Sequence, residues 1–319
     1  MQVNSNMGVG ISKPGIMNIN NSMTGSAPMI NLNSKSCPSL NTNPSKALKI
    51  DIFKQLSKSH SITNPTALSL LSSAQLMDRI ILALEKHEPL SVISIGATEA
   101  FVMAQYSIFS EQEFMSHPEA QVANQGIQNG FFHRGIRFPN IAARDDAVEA
   151  VGKADIVGYN TLVQSASDLT QNVLNTYNLQ PELVFEANLR RVLMFSQKEK
   201  FEAMLAGKKI LLIGSQAPLA KRALEERSKN KLGFNIVGAI SIFEHEEIAQ
   251  VKKAIKHYEF DLCLLAAGVN ALILAPHIAT SSGKVAFDIG WGMQSLITGE
   301  IVMDQWLAYI IGIERIMRM

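Results

Sequence analysis

Short apolar runs alternate with stretches of helical spacing over the second half of this chain. The apolar runs fall at residues 209–213, 234–240, 261–266 and 284–289, and helical periodicity fills 219–230, 246–258 and 270–281. That alternation predicts βαβ units, hence a parallel sheet with right-handed crossovers. The runs are apolar throughout rather than at every second position, as strands covered on both faces are. Residues 90–105, Leu-Ser-Val-Ile-Ser-Ile-Gly-Ala-Thr-Glu-Ala-Phe-Val-Met-Ala-Gln, read the same way: a buried strand, a break at Gly96, then a helix. The turn places Gly96, Ala97, Thr98 and Glu99 at the carboxyl end of its strand, where ligands bind in open α/β sheets.

The rest of the first half is less regular. Residues 64–87 carry apolar positions at spacings of three to five (Leu68, Leu71, Leu76, Ile80, Ile81, Leu84), with Asn64 as a candidate N-cap ahead of Pro65. A helix is also expected over 46–59. Ser110-Glu-Gln-Glu113 and Ser196-Gln-Lys-Glu199 are capping-box patterns, the first opening a helix to about residue 125. Helices are expected over 145–153, 166–177 and 181–195, with a strand over 154–159. The last helix would carry Glu186, Asn188, Arg190 and Arg191. One or two helices close the chain after residue 293.

Composition changes this picture mainly at the N-terminus. Residues 1–45 are rich in Asn and Ser, lack acidic residues and show no apolar period, so they are expected to be disordered. The organisation expected is thus a tail (1–45), N-terminal helices (46–89) and an α/β domain (90–319). A net charge of +1 with 18% charged residues gives no argument for nucleic acid. Cys37 and Cys263 lie in unlike contexts, which argues against a disulfide framework. No apolar window reaches the roughly 18 residues of a membrane span, and no secretory signal is visible, so a cytoplasmic protein is expected.

Candidate chemistry lies in four loops that follow strands: Gly96-Ala-Thr-Glu99, Gly214-Ser-Gln-Ala-Pro218, Ala267-Gly-Val-Asn270 and Asp288-Ile-Gly-Trp-Gly292. Their glycines would let a ligand's phosphates approach the backbone, so together they favour a nucleotide-type ligand. None is a dinucleotide fingerprint or a P-loop, which disfavours a dinucleotide oxidoreductase or a kinase. Glu99 and Asp288 are carboxylates at strand ends. Either they hold a divalent cation against a diphosphate, or they cap a turn and complement a helix dipole. The loop Asn129-Gly-Phe-Phe-His-Arg-Gly-Ile-Arg-Phe-Pro-Asn140 offers Arg134 and Arg137 to phosphate, and aromatic rings to a base or sugar. Its other reading is a partly buried connection with solvated arginines.

Three segments resemble the bacterial GT-D type glycosyltransferases. Ile93-Ser-Ile-Gly-Ala-Thr-Glu-Ala falls where that family has Gly-Asp-Gly-Glu with an Asp-x-Glu metal motif. Asp261-Leu-Cys-Leu-Leu-Ala-Ala-Gly-Val-Asn-Ala-Leu-Ile-Leu-Ala is similar to its strand, glycine and small-residue helix. Val285-Ala-Phe-Asp-Ile-Gly is similar to its closing strand. The resemblance covers residues 91–305 and implies a Rossmann-like, mostly parallel sheet with flanking helices. It also implies transfer of a sugar from a nucleotide-sugar donor, UDP-type, to an acceptor that the sequence does not name. Glu99 and Asp288 would then be catalytic, with Glu99 as metal ligand. Gly96, Thr98, Arg134, Arg137, Gly214, Gly268 and Asn270 would bind the donor. The implied cofactor is Mn2+ or Mg2+, but the family's aspartate is Ala97 here. Either another acid substitutes (Asp288, Asp145 or Asp146), or transfer needs no metal, or the protein is a non-catalytic nucleotide-binding or scaffold relative. A different small-molecule transferase, using a nucleoside-type methyl donor, is the third reading.

Overall fold

The computed structural model describes residues 69–125, 134–303 and 305–319, with side chains left out at 69 and 305–307. The expected tail at 1–45, the expected helix at 46–59 and loop residues 129–133 lie outside the described residues. Among the described residues eight strands form one sheet: β1 (Ser69–Leu71), β2 (Leu90–Ile95), β3 (Ile156–Tyr159), β4 (Leu183–Glu186), β5 (Lys209–Gly214), β6 (Asn235–Ile240), β7 (Leu262–Ala266) and β8 (Val285–Asp288). Every pairing is parallel, in the order β1-β4-β3-β2-β8-β7-β5-β6. The parallel α/β expectation therefore holds, and the sheet is wholly parallel.

Two apolar layers cover the sheet. One contains α2 (Ala97–Met103), α3 (Glu111–Ser116), α4 (Pro118–Gln125), α5 (Ile141–Lys153), most of α6 (Gln164–Thr176), α11 (Ile248–Ile255) and α12 (Val269–Ser282). The other contains α1 (Ser73–Lys86), α7 (Leu193–Ser196), α8 (Lys198–Leu205), α9 (Ala217–Arg227), α10 (Lys229–Leu232), α13 (Gly292–Thr298), α14 (Gln305–Ile311) and α15 (Ile313–Met317). Connections that step toward β1 run over the first layer, and those that step toward β6 run over the second. One crossover hand throughout requires this arrangement. No helix among the described residues is long and apolar enough to cross a membrane.

Three local expectations are corrected. Residues 69–71 are a strand, and α1 begins after Ser72, not after Asn64. The Ser72 hydroxyl accepts from Gln75 N at 3.3 Å and the Gln75 side chain accepts from Ser72 N at 2.9 Å. The Leu68–Leu71 spacing mimicked a helical stripe, but pairing with β4 claims this segment. Residues 181–195 are not one helix. Leu-Val-Phe-Glu forms β4, hydrogen-bonded on both sides by β1 and β3. A 3-10 segment, Ala187–Arg191, and α7 follow it. Leu-Val-Phe is a short apolar run without alternation, and periodicity alone does not tell such a run from a buried piece of helix. The second capping box does not form: α8 starts after Gln197 without a side-chain cap, and the buried Ser196 hydroxyl has no partner among the described residues. The first box does form, with Glu113 accepting from Ser110 N at 2.9 Å. Its helix breaks at His117 and resumes as α4.

Candidate functional site

The four glycine-bearing loops follow β2, β8, β7 and β5, which are contiguous in the sheet, so they share one edge. They are used in two ways. At β5 and β7 the glycines serve backbone packing. A Cβ on Gly214 would lie 2.3 Å from the Ala266 carbonyl oxygen. Gly268 (φ +57°) faces the Arg134 carbonyl oxygen, with 2.6 Å to the position of a Cβ. Asn270 is fully buried, and its amide donates to Gly135 O at 2.9 Å while its Oδ1 has no hydrogen-bond partner among the described residues. The β7 loop is thus occupied by the segment starting at Arg134.

The β2 and β8 loops surround a side chain from elsewhere, Arg190 of the 3-10 segment after β4. Arg190 Nη1 pairs with Asp288 Oδ2, and both side chains are largely buried. A Cβ on Gly290 (φ +44°) would lie 2.8 Å from the guanidinium carbon, and one on Gly292 2.4 Å from the Arg190 carbonyl oxygen. A Cβ on Gly96 would meet Arg190 Nη2 at 3.7 Å. Glu99, also buried, folds back so that its Oε2 accepts from Gly96 N at 2.9 Å. Beside this cluster the Arg191 guanidinium lies 5.7 Å above the Trp291 ring.

Glu186 explains why Arg190 reaches this place. Its carboxylate is fully buried at the end of β4 and accepts four hydrogen bonds. Two come from Thr161 N and Oγ1 at 2.6 Å each, and two from Asn188 N at 2.9 Å and Asn188 Nδ2 at 2.6 Å. These bonds lock the loops after β3 and β4 together and turn the chain into the 3-10 segment. A buried carboxylate with four donors is satisfied without a counter-ion. Burial lifts the Asp288 carboxyl to about 6. The Arg190 charge pulls the other way, the Glu99 charge adds to the rise, and backbone bonds from Gly290 and Ser94 oppose it. Asp288 is thus poised to change charge near neutral pH.

A family model described as a GT-D fold-like domain matches residues 71–296. The chain belongs to this GT-D-like family. Two solved structures of a domain of unknown function, number 1792, were found among similar folds. One is described as having a distinct glycosyltransferase fold, and the other is its selenomethionine-substituted form. Each has a TM-score of 0.48 and 12% identity over 79% of this chain and 87% of that chain. No curated protein matches.

Within this GT-D-like domain, Arg134 and Arg137 are engaged by carboxylates other than Glu99 and Asp288. The Thr98 hydroxyl donates to Glu119 Oε1 at 2.7 Å, and Arg134 Nε lies 3.1 Å from the same oxygen. That arginine contact is electrostatic, because its N–H is not aligned as a hydrogen bond. Arg137 pairs with Glu244 at 2.9 Å and is well exposed. Ala97 opens α2 and is exposed, so it presents no oxygen where the resemblance expects a carboxylate. Asp145 pairs with Arg144 and Asp146 with His245. Among the described residues no three His, Cys, Asp or Glu side chains group to hold a metal. The donor set does not fit a divalent cation, since Asp288 is committed to Arg190 and Glu99 to its own helix terminus.

The sequence placed Glu99, Asp288 and Gly96 at this edge but assigned no site role to Arg190, Glu186 or Asn188. The available signal was a polar cluster directly after Leu-Val-Phe, which marks a strand's carboxyl end once β4 is recognised.

Proposed function

We propose that this protein is a glycosyltransferase that takes a nucleotide-sugar donor, UDP-type, at the loops after β2, β3, β4 and β8. The observation that supports this reading is the buried Arg190 guanidinium. It is held between the Glu99 and Asp288 loops at the central edge of a GT-D-like sheet. A fixed guanidinium is a planar multiple donor suited to diphosphate oxygens. Gly96 and Thr98 would border the donor. Glu99 would orient the β2 loop, and Asp288 would set the position of Arg190 and sense the proton balance. Transfer would then rest on positioning and on stabilising charge that develops on the departing nucleoside diphosphate.

A second reading is a non-catalytic donor-binding or scaffold relative, and exposed Ala97 favours it. One panel separates the two. Thermal shifts with UDP-, GDP- and dTDP-sugars and an adenosine methyl donor test binding, and release of free UDP tests turnover. Ligand at about 100 times its dissociation constant stabilises the fold by roughly 2.7 kcal/mol. A shift with UDP-sugars that falls in Glu99→Gln, together with UDP release, is the result expected. Binding without turnover would favour the second reading, and a larger shift with an adenosine methyl donor would defeat both.

A further inference from the structure

We propose that Arg190 takes the place of a divalent cation in this GT-D-like site, so that the donor's diphosphate binds through a protein guanidinium and needs no metal. The inference deepens the donor reading above and rests on it.

Three features of the corner argue for it. The first is space. Gly290 and Gly292, from the β8 loop, have no room for a Cβ because of Arg190 atoms. Gly290 also takes φ +44°, a conformation favoured by glycine. The Gly292 contact is with the Arg190 main-chain oxygen and the Gly290 contact with the guanidinium itself, so Gly290 is the position that closes on the arginine side chain. The second is charge. Arg190 lies beside two buried carboxylates, Glu99 and Asp288, the pair that the sequence placed best for a cation at the strand ends. Asp288 binds Nη1 directly, and a metal ion there would have to displace the guanidinium. With Ala97 supplying no oxygen, Asp288 paired with Arg190 and Glu99 Oε2 accepting from Gly96 N, Glu99 is, among the described residues, the one carboxylate left at this corner beside the donor's phosphates, where the guanidinium already supplies positive charge.

The third is donor geometry. Asp288 engages one terminal nitrogen and leaves Nη2 on the Gly96 side. A guanidinium carries five N–H donors in one plane, so one edge can hold its carboxylate while another meets phosphate oxygens. Such an arginine is permanently charged and already ordered, so it supplies the cation without a second binding equilibrium.

The test uses the full-length chain and two titrations. In the first, Mn2+ alone is titrated and followed by electron paramagnetic resonance. No stoichiometric site is expected, and one site per chain would overturn the inference. In the second, UDP binding is measured by calorimetry in EDTA and again in Mn2+. The same dissociation constant is expected in both. Arg190→Gln combined with Asp288→Asn removes both charges of the pair, which avoids leaving one buried charge unpaired. This double variant is expected to bind UDP about 10- to 100-fold more weakly, the loss of a charge-assisted contact. Arg190→Lys is expected to be intermediate and checks that the corner still folds. UDP binding that requires Mn2+, or unchanged affinity in the double variant, overturns the inference and leaves the donor reading standing. No UDP binding under either condition overturns both.

Discussion

Gly214 ends β5 and Gly290 follows β8, at the same edge of one sheet. The side-chain position of Gly214 is filled by the Ala266 carbonyl, a backbone atom of the neighbouring strand. That of Gly290 is filled by the Arg190 guanidinium, a charged group brought in from the loop after β4. One corner of the edge, at β5 and β7, uses glycine to bring main chains together. The other, at β2 and β8, does so too at Gly292, against the Arg190 carbonyl oxygen, but at Gly290 it also makes way for a buried guanidinium. A glycine after a strand is therefore an invitation to close approach, and what approaches decides whether the loop is architecture or chemistry.

The largest effect expected from this contrast is at Gly214. Gly214→Ala puts a Cβ against a backbone oxygen that has no flexible end to move, and should cost about 3 kcal/mol of unfolding free energy in a urea titration. Unchanged stability would show that this corner is not closed by backbone packing.

Asp288 gives a pH signature of similar size at the other corner. Its carboxyl is raised by burial from 3.8 to about 6, so the folded state holds the proton that the unfolded state has already released. The stability this group contributes is complete below about pH 4 and is lost as pH rises through 6. The full change is on the order of 3 kcal/mol. Stability of the wild type minus that of Asp288→Asn should fall across this interval. A difference that stays flat or rises would mean that the Arg190 charge outweighs burial at Asp288.

Asn270→Ala removes the amide that holds Gly135 to the β7 loop, and leaves Gly135 O without that donor. A loss of about 1–2 kcal/mol in thermal or urea unfolding is expected, with UDP affinity unchanged. A large drop in UDP affinity instead would move the ligand toward the β7 loop. The smallest effect belongs to Arg137. Its exposed pair with Glu244 should be worth at most about 1 kcal/mol, so Arg137→Ala should change neither stability nor UDP affinity appreciably.

Much of the sheet was legible because β5, β6, β7 and β8 are apolar runs bounded by clear turns, and β2 is a buried run ended by Gly96. β1 and β4 escaped because they have three and four residues, and pairing rather than local pattern makes them strands. That loss carried over to the site. With β4 read as helix, Glu186, Asn188 and Arg190 had no strand end to mark, although Glu99 and Asp288 on the opposing loops were recognised as candidates. Arg134 and Arg137 stood out by loop composition, yet their partners Glu119 and Glu244 are 15 and 107 residues away in sequence. Ion pairs at that separation leave no trace in local pattern.

The most direct test of the account is hydrogen exchange of the full chain with and without UDP, read peptide by peptide. The account predicts added protection at residues 94–99, 160–161, 186–191 and 288–292, with 214–218 unchanged. Protection at 214–218 and 266–270, with the Arg190 corner unchanged, would contradict it.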